Sequence, residues 1–503
     1  MKRKILPLFV IVGSLSLCGC SFFSIVGNDS VSPWEGSKQA LTYTQKELSA
    51  SHYYDNMVTM PTTGKPKLLV LPIVFTDSND FINEEQKVTI KERLEKAAFG
   101  TNEEVGWYSI SSFYKTESFG QCEIEGEVAD WYQSSYRYGE VNSDLTTTIL
   151  NNAINNWKIN NPTKVKDFDT NGDGYLDGVI AVYGGPNYGN IGKYPPHREN
   201  KNMWAYTSWL SNTSNVESPN GGVFIWASYD FMDVDNTHDL KIDTHTYIHE
   251  MGHVFGLDDY YDYAHKGEWA GSFSMQDYNV GGHDPYSLMA LGWVQPYVPT
   301  YSTSITIHPF ESSGDVILVS PDFSSNSAFD EYLLVEMYSP TGTNERDSTY
   351  QYGSQYPLGP TKAGIRIWHV DARLLKIKES SKRGKTVEYY NIVNTIDPND
   401  GKYIVGPTNT TYVAGADTNA YCSLASDLYD YKLLELIRRN DYKAGLVKNA
   451  ITNDDLFKTG DSFTVSQYLG YFEGGRFNNN SRVNWTIKVE SLNDSQATIT
   501  ITK

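Results

Sequence analysis

The chain has 503 residues, enough for a large core and more than one domain. Its formal charge of −20, from 61 acidic against 41 basic residues, excludes a nonspecific grip on DNA or RNA, which needs a basic surface. The same balance suits a soluble body outside a cell and favours divalent cations.

The first twenty residues read as a targeting segment. MKRK is a basic start and ILPLFVIVGSLSL an apolar run too short to span a bilayer comfortably. The run ends in LCGC at residues 17–20, which resembles the lipobox of bacterial lipoproteins. That resemblance implies cleavage before Cys20 and lipid on its new N-terminus. Acyl chains there would hold the protein on the outer face of the bacterial cell membrane. With Cys18 and Cys20 set aside, only Cys122 and Cys422 remain, too few for a disulfide framework, although one bridge between them is open.

Residues 21–65 are polar and irregular and read as a linker or N-terminal extension. KLLVLPIVFTD, residues 67–77, is a near-continuous apolar run of the kind found in buried strands. NEEQKVTIKERLEKAAFG, residues 83–100, predicts an amphipathic helix closed by glycine. Residues 109–132 predict a short helix, a turn at Gly120 and an alternating strand, and residues 143–158 another helix. GVIAVYGG (178–185) and VFIWASYDF (223–231) read as further strands. A helix starts near Asp243, a good N-cap residue. This order of elements fits an α/β domain over residues 66–298.

Beyond Pro299 the pattern changes to short strands split by Gly, Pro, Asn and Asp. They are STSITIHPF, DVILVS, EYLLVEMYS, AGIRIWHVD, FTVSQYL, WTIKVESL and QATITITK, with a helix expected at about 423–438. Residues 299–503 therefore predict an all-β region of sandwich or jelly-roll type.

Two segments carry chemistry. DFDTNGDGYLD, residues 167–177, places oxygen donors at alternate positions with glycines that let the backbone wrap, as a hard cation requires. Read from Asp167 it has Gly178 where an EF-hand places Glu, and read from Asp169 it has Asp177 at the ninth position. The expectation is a compact calcium loop outside the EF-hand pattern. Its donors would be Asp167, Asp169, Asn171, Asp173 and Asp177, with the Tyr175 carbonyl.

The second segment is HEMGHVFGLDDYYD, residues 249–262. On a helix His249 and His253 lie one turn apart on one face, with Glu250 one step round. Two rigid imidazoles at that spacing suit zinc, and H-E-x-x-H is the motif of zinc peptidases. A catalytic zinc needs a third protein ligand and one open position. Gly256 can end the helix in a left-handed turn, and Asp259 follows three residues later, the spacing at which metzincins present their third ligand. Asp259 is the expected ligand, with Asp258, Asp262 and His265 as rivals. Met275 stands where a metzincin-like methionine turn would pass beneath the metal, and Tyr278 and, less directly, His283 are placed to help with an oxyanion.

Together these segments resemble the immune-inhibitor-A-like zinc metallopeptidases of bacteria. The resemblance rests on SSFYKTESFGQCEIEGEVADWY, DTNGDGYLDGVIAVYGG, HEMGHVFGLDDYYD, SMQDYNVGGHDPYSLMALGW and AGIRIWHVD, from about residue 67 to 375. It implies a metzincin-like, zincin-type α/β catalytic domain, zinc on His249, His253 and Asp259, and Glu250 as catalytic base. The family often has proline before that aspartate, where this chain has Asp258. The expected activity is endopeptidase cleavage of extracellular proteins or peptides. The other classes weighed are a non-catalytic surface adhesin on a protease scaffold and an amidase of cell-wall peptides.

Overall fold

The computed structural model describes residues 31–42, 44, 58–195, 197, 199–234, 240–262, 267–379, 385–390, 411–413 and 432–503. The lipobox, Cys422 and His265 fall outside these residues. No helix among the described residues is long and apolar enough to cross a membrane.

The apolar runs of the first half form one mixed sheet. Its strands are β1 (Lys67–Val74), β2 (Glu125–Val128), β3 (Tyr132–Gln133), β4 (Gly178–Tyr183), β5 (Tyr206–Trp209) and β6 (Val223–Ser228). The order is β2-β1-β4-β6-β5, with β3 also on β1. Every pairing is parallel except β5 on β6, so the sheet ends in an antiparallel edge strand. In β4 and β6 every residue is buried, as expected of strands covered on both faces.

Helices α1 (Glu84–Phe99), α2 (Asn102–Val105), α3 (Ile110–Glu117) and α4 (Ser143–Asn160) connect these strands. The first starts where the sequence predicts it, because Asn83 and Gln86 cap each other's backbone N–H in a reciprocal box. The helix bearing the histidines, α5, spans His245–Val254. Its N-cap is Thr244 rather than Asp243, and Asp243 instead accepts the His245 N–H at 3.0 Å. Tyr247, Met251 and Val254 are buried, and Tyr247 Oη donates to Ser228 O at 2.6 Å, fixing α5 to the end of β6. Two shorter helices follow, α6 (Met275–Tyr278) and α7 (Pro285–Ala290).

The C-terminal half contains two antiparallel four-stranded sheets. One has the order β14-β10-β9-β8, built from β8 (Val316–Val319), β9 (Glu331–Tyr338), β10 (Gly364–Asp371) and β14 (Leu434–Ile437). The other pairs β7 (Thr303–Ile307), β15 (Ser462–Phe463), β16 (Thr486–Leu492) and β17 (Ala497–Thr502), and β11 (Leu374–Glu379), β12 (Lys385–Tyr390) and β13 (Thr411–Val413) form a third, three-stranded antiparallel sheet. The first sheet is buried on both faces by simple alternation. Leu333, Val335, Met337, Ile365 and Ile367 face the core shared with the second sheet. Tyr332, Leu334, Tyr338, Trp368 and Val370 face the core of the α/β half.

Three sequence expectations change. The helix expected at about 423–438 is replaced, in its described part, by strand Leu434–Ile437, which pairs with β10. A leucine-rich stretch satisfies helix and buried-strand patterns alike, and tertiary pairing decides between them. FTVSQYL keeps only Phe463 as strand, in the two-residue strand Ser462–Phe463, because the chain turns at Thr464–Gln467. The described part of residues 21–65 is no loose linker. Trp34 N donates to Ser304 O, Gln39 N to Pro296 O and Met60 N to Val254 O, so this segment straps both halves.

Candidate metal centre

The site forms at the C-terminal end of α5. Phe255 closes the helix and Gly256 takes φ +98°, the left-handed conformation a side chain resists. Gly256 N then donates to His253 O at 2.9 Å and Leu257 N to Gly252 O at 3.0 Å, turning the chain back along the helix. This reversal delivers Asp259. Its Oδ1 lies 3.0 Å from His249 Nε2 and 3.2 Å from His253 Nε2, and the two nitrogens are 3.2 Å apart. Among the described residues, this is the one group of three or more His, Cys, Asp or Glu side chains with ligand atoms gathered closely enough to hold a metal ion.

The ring nitrogens facing away from the centre fix its chemistry. His249 Nδ1 donates to Met275 O and His253 Nδ1 to Leu257 O, each at 2.7 Å. Both rings therefore turn Nε2 toward the Asp259 carboxylate, with a lone pair there whenever the ring is neutral. With both rings neutral, three acceptors in mutual contact repel unless a cation stands among them. Bonds of about 2.0–2.1 Å in a tetrahedron put neighbouring ligand atoms about 3.3 Å apart, close to the spacings found. The donor set fits, and His249, His253 and Asp259 form a site able to coordinate a divalent metal ion.

Without a metal ion, a proton held between the rings and Asp259 takes the cation's place. Burial opposes ionisation of Asp259, but His253 and His249 outweigh it and hold the carboxyl below the usual range. Burial likewise opposes charge on His253, and Asp259 overcomes it, lifting that ring to about 10. Asp258 stands apart: burial pushes its carboxyl up to about 6, and it contributes no atom to the cluster. Asp262 is also buried and outside the cluster.

Glu250 is buried, and burial raises its carboxyl above the usual range against the pull of His253 and His249. The Thr207 hydroxyl on β5 lies 2.8 Å from Glu250 Oε2 and 3.0 Å from Glu250 O. Edge strand and histidine-bearing helix are thus joined at the glutamate. The short YTSW strand and the role of Thr207 are not anticipated from the sequence.

Other expected residues are placed as follows. The Met275 side chain is fully buried, while its carbonyl supports His249. Tyr278 directs its hydroxyl to Glu268 Oε1 at 3.1 Å. His283 is buried between Glu117 and Gln276. In the acidic loop the side chains turn toward the loop's own backbone. Asp169 accepts from Asp173 N and Gly174 N, Asp173 from Tyr175 N, and Asn171 from Asp173 N. Asp177 clamps Lys67 N at the start of β1 and Thr170 N across the loop, while Asp167 is exposed. Tyr175 sends its hydroxyl to Asn212 O. The structure does not gather three of these carboxylates at one point. Cys122 is a buried free thiol, pushed up to about 12 by burial.

One residue of α5 is tied to the C-terminal half. His245 lies between Trp107 and Tyr352, with ring centroids at 4.1 and 4.0 Å. Its Nδ1 meets Asp243 at 2.9 Å and its Nε2 meets Asp347 at 3.1 Å. Burial opposes the charge, but Asp347 and Asp243 lift the ring to about 9 from 6.5. A raised pKa contributes stability that is complete below about 6.5 and lost as pH rises through about 9, on the order of 3 kcal/mol. Melting temperatures between pH 6 and 9.5 should therefore fall. Asp347→Asn, which keeps an oxygen for the Gly281 N–H, should be less stable at pH 6 and show a flatter decline. An equal slope in both proteins would refute the assignment.

No protein-family model matches the chain, and a search of curated proteins finds no match.

Proposed function

We propose that the protein is a zinc-dependent endopeptidase that cleaves extracellular proteins or peptides from the outer face of the bacterial membrane, tethered by lipid on Cys20. The observation that carries the reading is the junction of two imidazoles, one carboxylate and a buried glutamate within one helical turn and its reversal. A surface adhesin has no use for Glu250, whereas hydrolysis needs a base beside a metal site. The zincin-type α/β domain with a β-sandwich behind it belongs to the same proposal.

Zinc on His249, His253 and Asp259 would supply Lewis acidity and an acidified water. Glu250, its affinity for a proton increased by burial, takes the proton from the attacking water and returns it to the leaving amine. Strand β5 is the sheet's antiparallel edge, and its four residues are all partly exposed. A peptide laid along that edge would gain main-chain hydrogen bonds beside Thr207 and Glu250. Tyr278 can serve an oxyanion only by leaving Glu268.

Calcium in the acidic loop is the second cofactor proposed. It requires Asp169, Asn171 and Asp173 to exchange backbone partners for the ion, with Asp177 staying as the clamp on β1.

Purified protein should digest casein or gelatin, a zinc chelator should stop digestion, and added zinc should restore it. Purified peptidoglycan offered in parallel separates the endopeptidase from a cell-wall amidase. Zinc binding with no cleavage of either substrate would leave a binding protein and refute the proposal.

A further inference from the structure

Gly252, the fourth residue of HEMGH, marks a close approach between α5 and the chain beneath it. A Cβ there would lie 2.1 Å from Gln276 Oε1, so any side chain would push that amide aside. Gln276 is fully buried, and its Oε1 lies 3.3 Å from His283 Nε2. His283 Nδ1 is 3.3 Å from Glu117 Oε2, and the same oxygen accepts the His283 backbone N–H at 2.9 Å. A row of buried polar groups thus runs from the end of α3, through His283, to the underside of the metal-ligand helix. The same α3 reaches α5 directly, where Tyr114 Oη donates to Ile248 O at 2.7 Å, one residue before His249.

The far end of the row touches the metal centre's support. Gln276 follows Met275, whose carbonyl accepts the His249 Nδ1–H at 2.7 Å. Met275 N donates to Gly282 O at 3.2 Å, directly before His283. Residues 275–283 therefore form a closed loop, pinned at its mouth by Gly281 N to Asp347 and Gly282 N to Asn344. Where this loop sits decides where the Met275 carbonyl points, and hence how the His249 ring is turned.

Gln276 Nε2 is buried and has no hydrogen-bond partner. Turning the amide over brings that NH₂ to His283 Nε2, while His283 Nδ1–H donates to Glu117. In that arrangement a neutral imidazole makes both bonds and the unpaired amide nitrogen is satisfied. Apolar packing alone gives no reason for a histidine between an acid and an amide here.

We propose that His283 is a positioning residue of the metal centre, holding Gln276 so that the Met275 carbonyl keeps His249 Nε2 aimed at the metal. The inference rests on the metal-site reading above and touches no step of the chemistry. Outer partners of a metal-bound imidazole typically contribute about 10- to 100-fold in metal affinity.

The test is zinc affinity of the full chain, by competition with a chromogenic chelator, with the absorption bands of the cobalt-substituted protein recorded beside it. His283→Phe keeps a ring and removes both bonds, and Gln276→Met leaves His283 and Glu117 together but removes the amide. Both should bind zinc about 10- to 100-fold more weakly and shift the cobalt bands, while His283→Gln should recover most of the affinity. Wild-type affinity and an unchanged cobalt spectrum in both variants would overturn the proposal, even with a lowered melting temperature, since that marks a purely structural residue. If His283→Phe does not fold, Gln276→Met decides by the same two readings. A wild-type chain that binds neither zinc nor cobalt would instead refute the metal-site reading.

Discussion

Glu250→Gln should lower peptide hydrolysis by about 100- to 10,000-fold while leaving zinc content unchanged. The amide matches the carboxylate in size and can still accept from Thr207, 2.8 Å away, so the helix loses little. It cannot take a proton from water at neutral pH, and that is the function assigned to it. The residue lies outside the ligand cluster, so the metal should stay. Turnover and zinc stoichiometry can be measured on one preparation. Full activity in the variant would end the mechanism, and loss of zinc would show that the glutamate serves the metal rather than the water.

The second large effect is expected at Asp259. Asp259→Ala leaves two imidazole nitrogens 3.2 Å apart with no anionic partner, and two ligands do not make a stable catalytic zinc site. Zinc affinity should fall by more than the roughly 10- to 100-fold typical of an outer-sphere partner, and activity should fall with it. Asp258→Asn is the matched control. That carboxyl is pushed up to about 6 by burial and gives no atom to the cluster, so its neutralisation should leave zinc affinity at the wild-type level. Competition titrations on both variants settle the pair. Unchanged zinc in Asp259→Ala, or its loss in Asp258→Asn, would move the third ligand elsewhere.

The metal centre was legible because it is local. Two histidines at helical spacing, a glycine able to take positive φ and an aspartate three residues later lie within eleven residues, and the backbone joins them without help from the rest of the chain. What holds the centre was not legible. Thr207 meets Glu250 across 43 residues, Glu117 meets His283 across 166, and Asp347 meets His245 across 102. No local spacing encodes such partners. The strands with continuous apolar runs, β1, β4 and β6, were equally readable, whereas the four-residue β5 is too short and too mixed to announce itself. The acidic loop shows the opposite limit: alternating oxygens specify a tight turn as well as a cation, and here the same oxygens satisfy backbone N–H groups.

The sheet β14-β10-β9-β8 divides its side chains between two cores, and Asp347, beyond β9, closes on His245 and Gly281. A chain made from its N-terminus presents residues 249–259 about ninety residues before Asp347 and well before β10 and β14. The residues of the centre are thus synthesised ahead of the parts that brace them. Completion of the C-terminal half becomes a timer for the finished site, setting a delay between synthesis of the cluster and its final bracing.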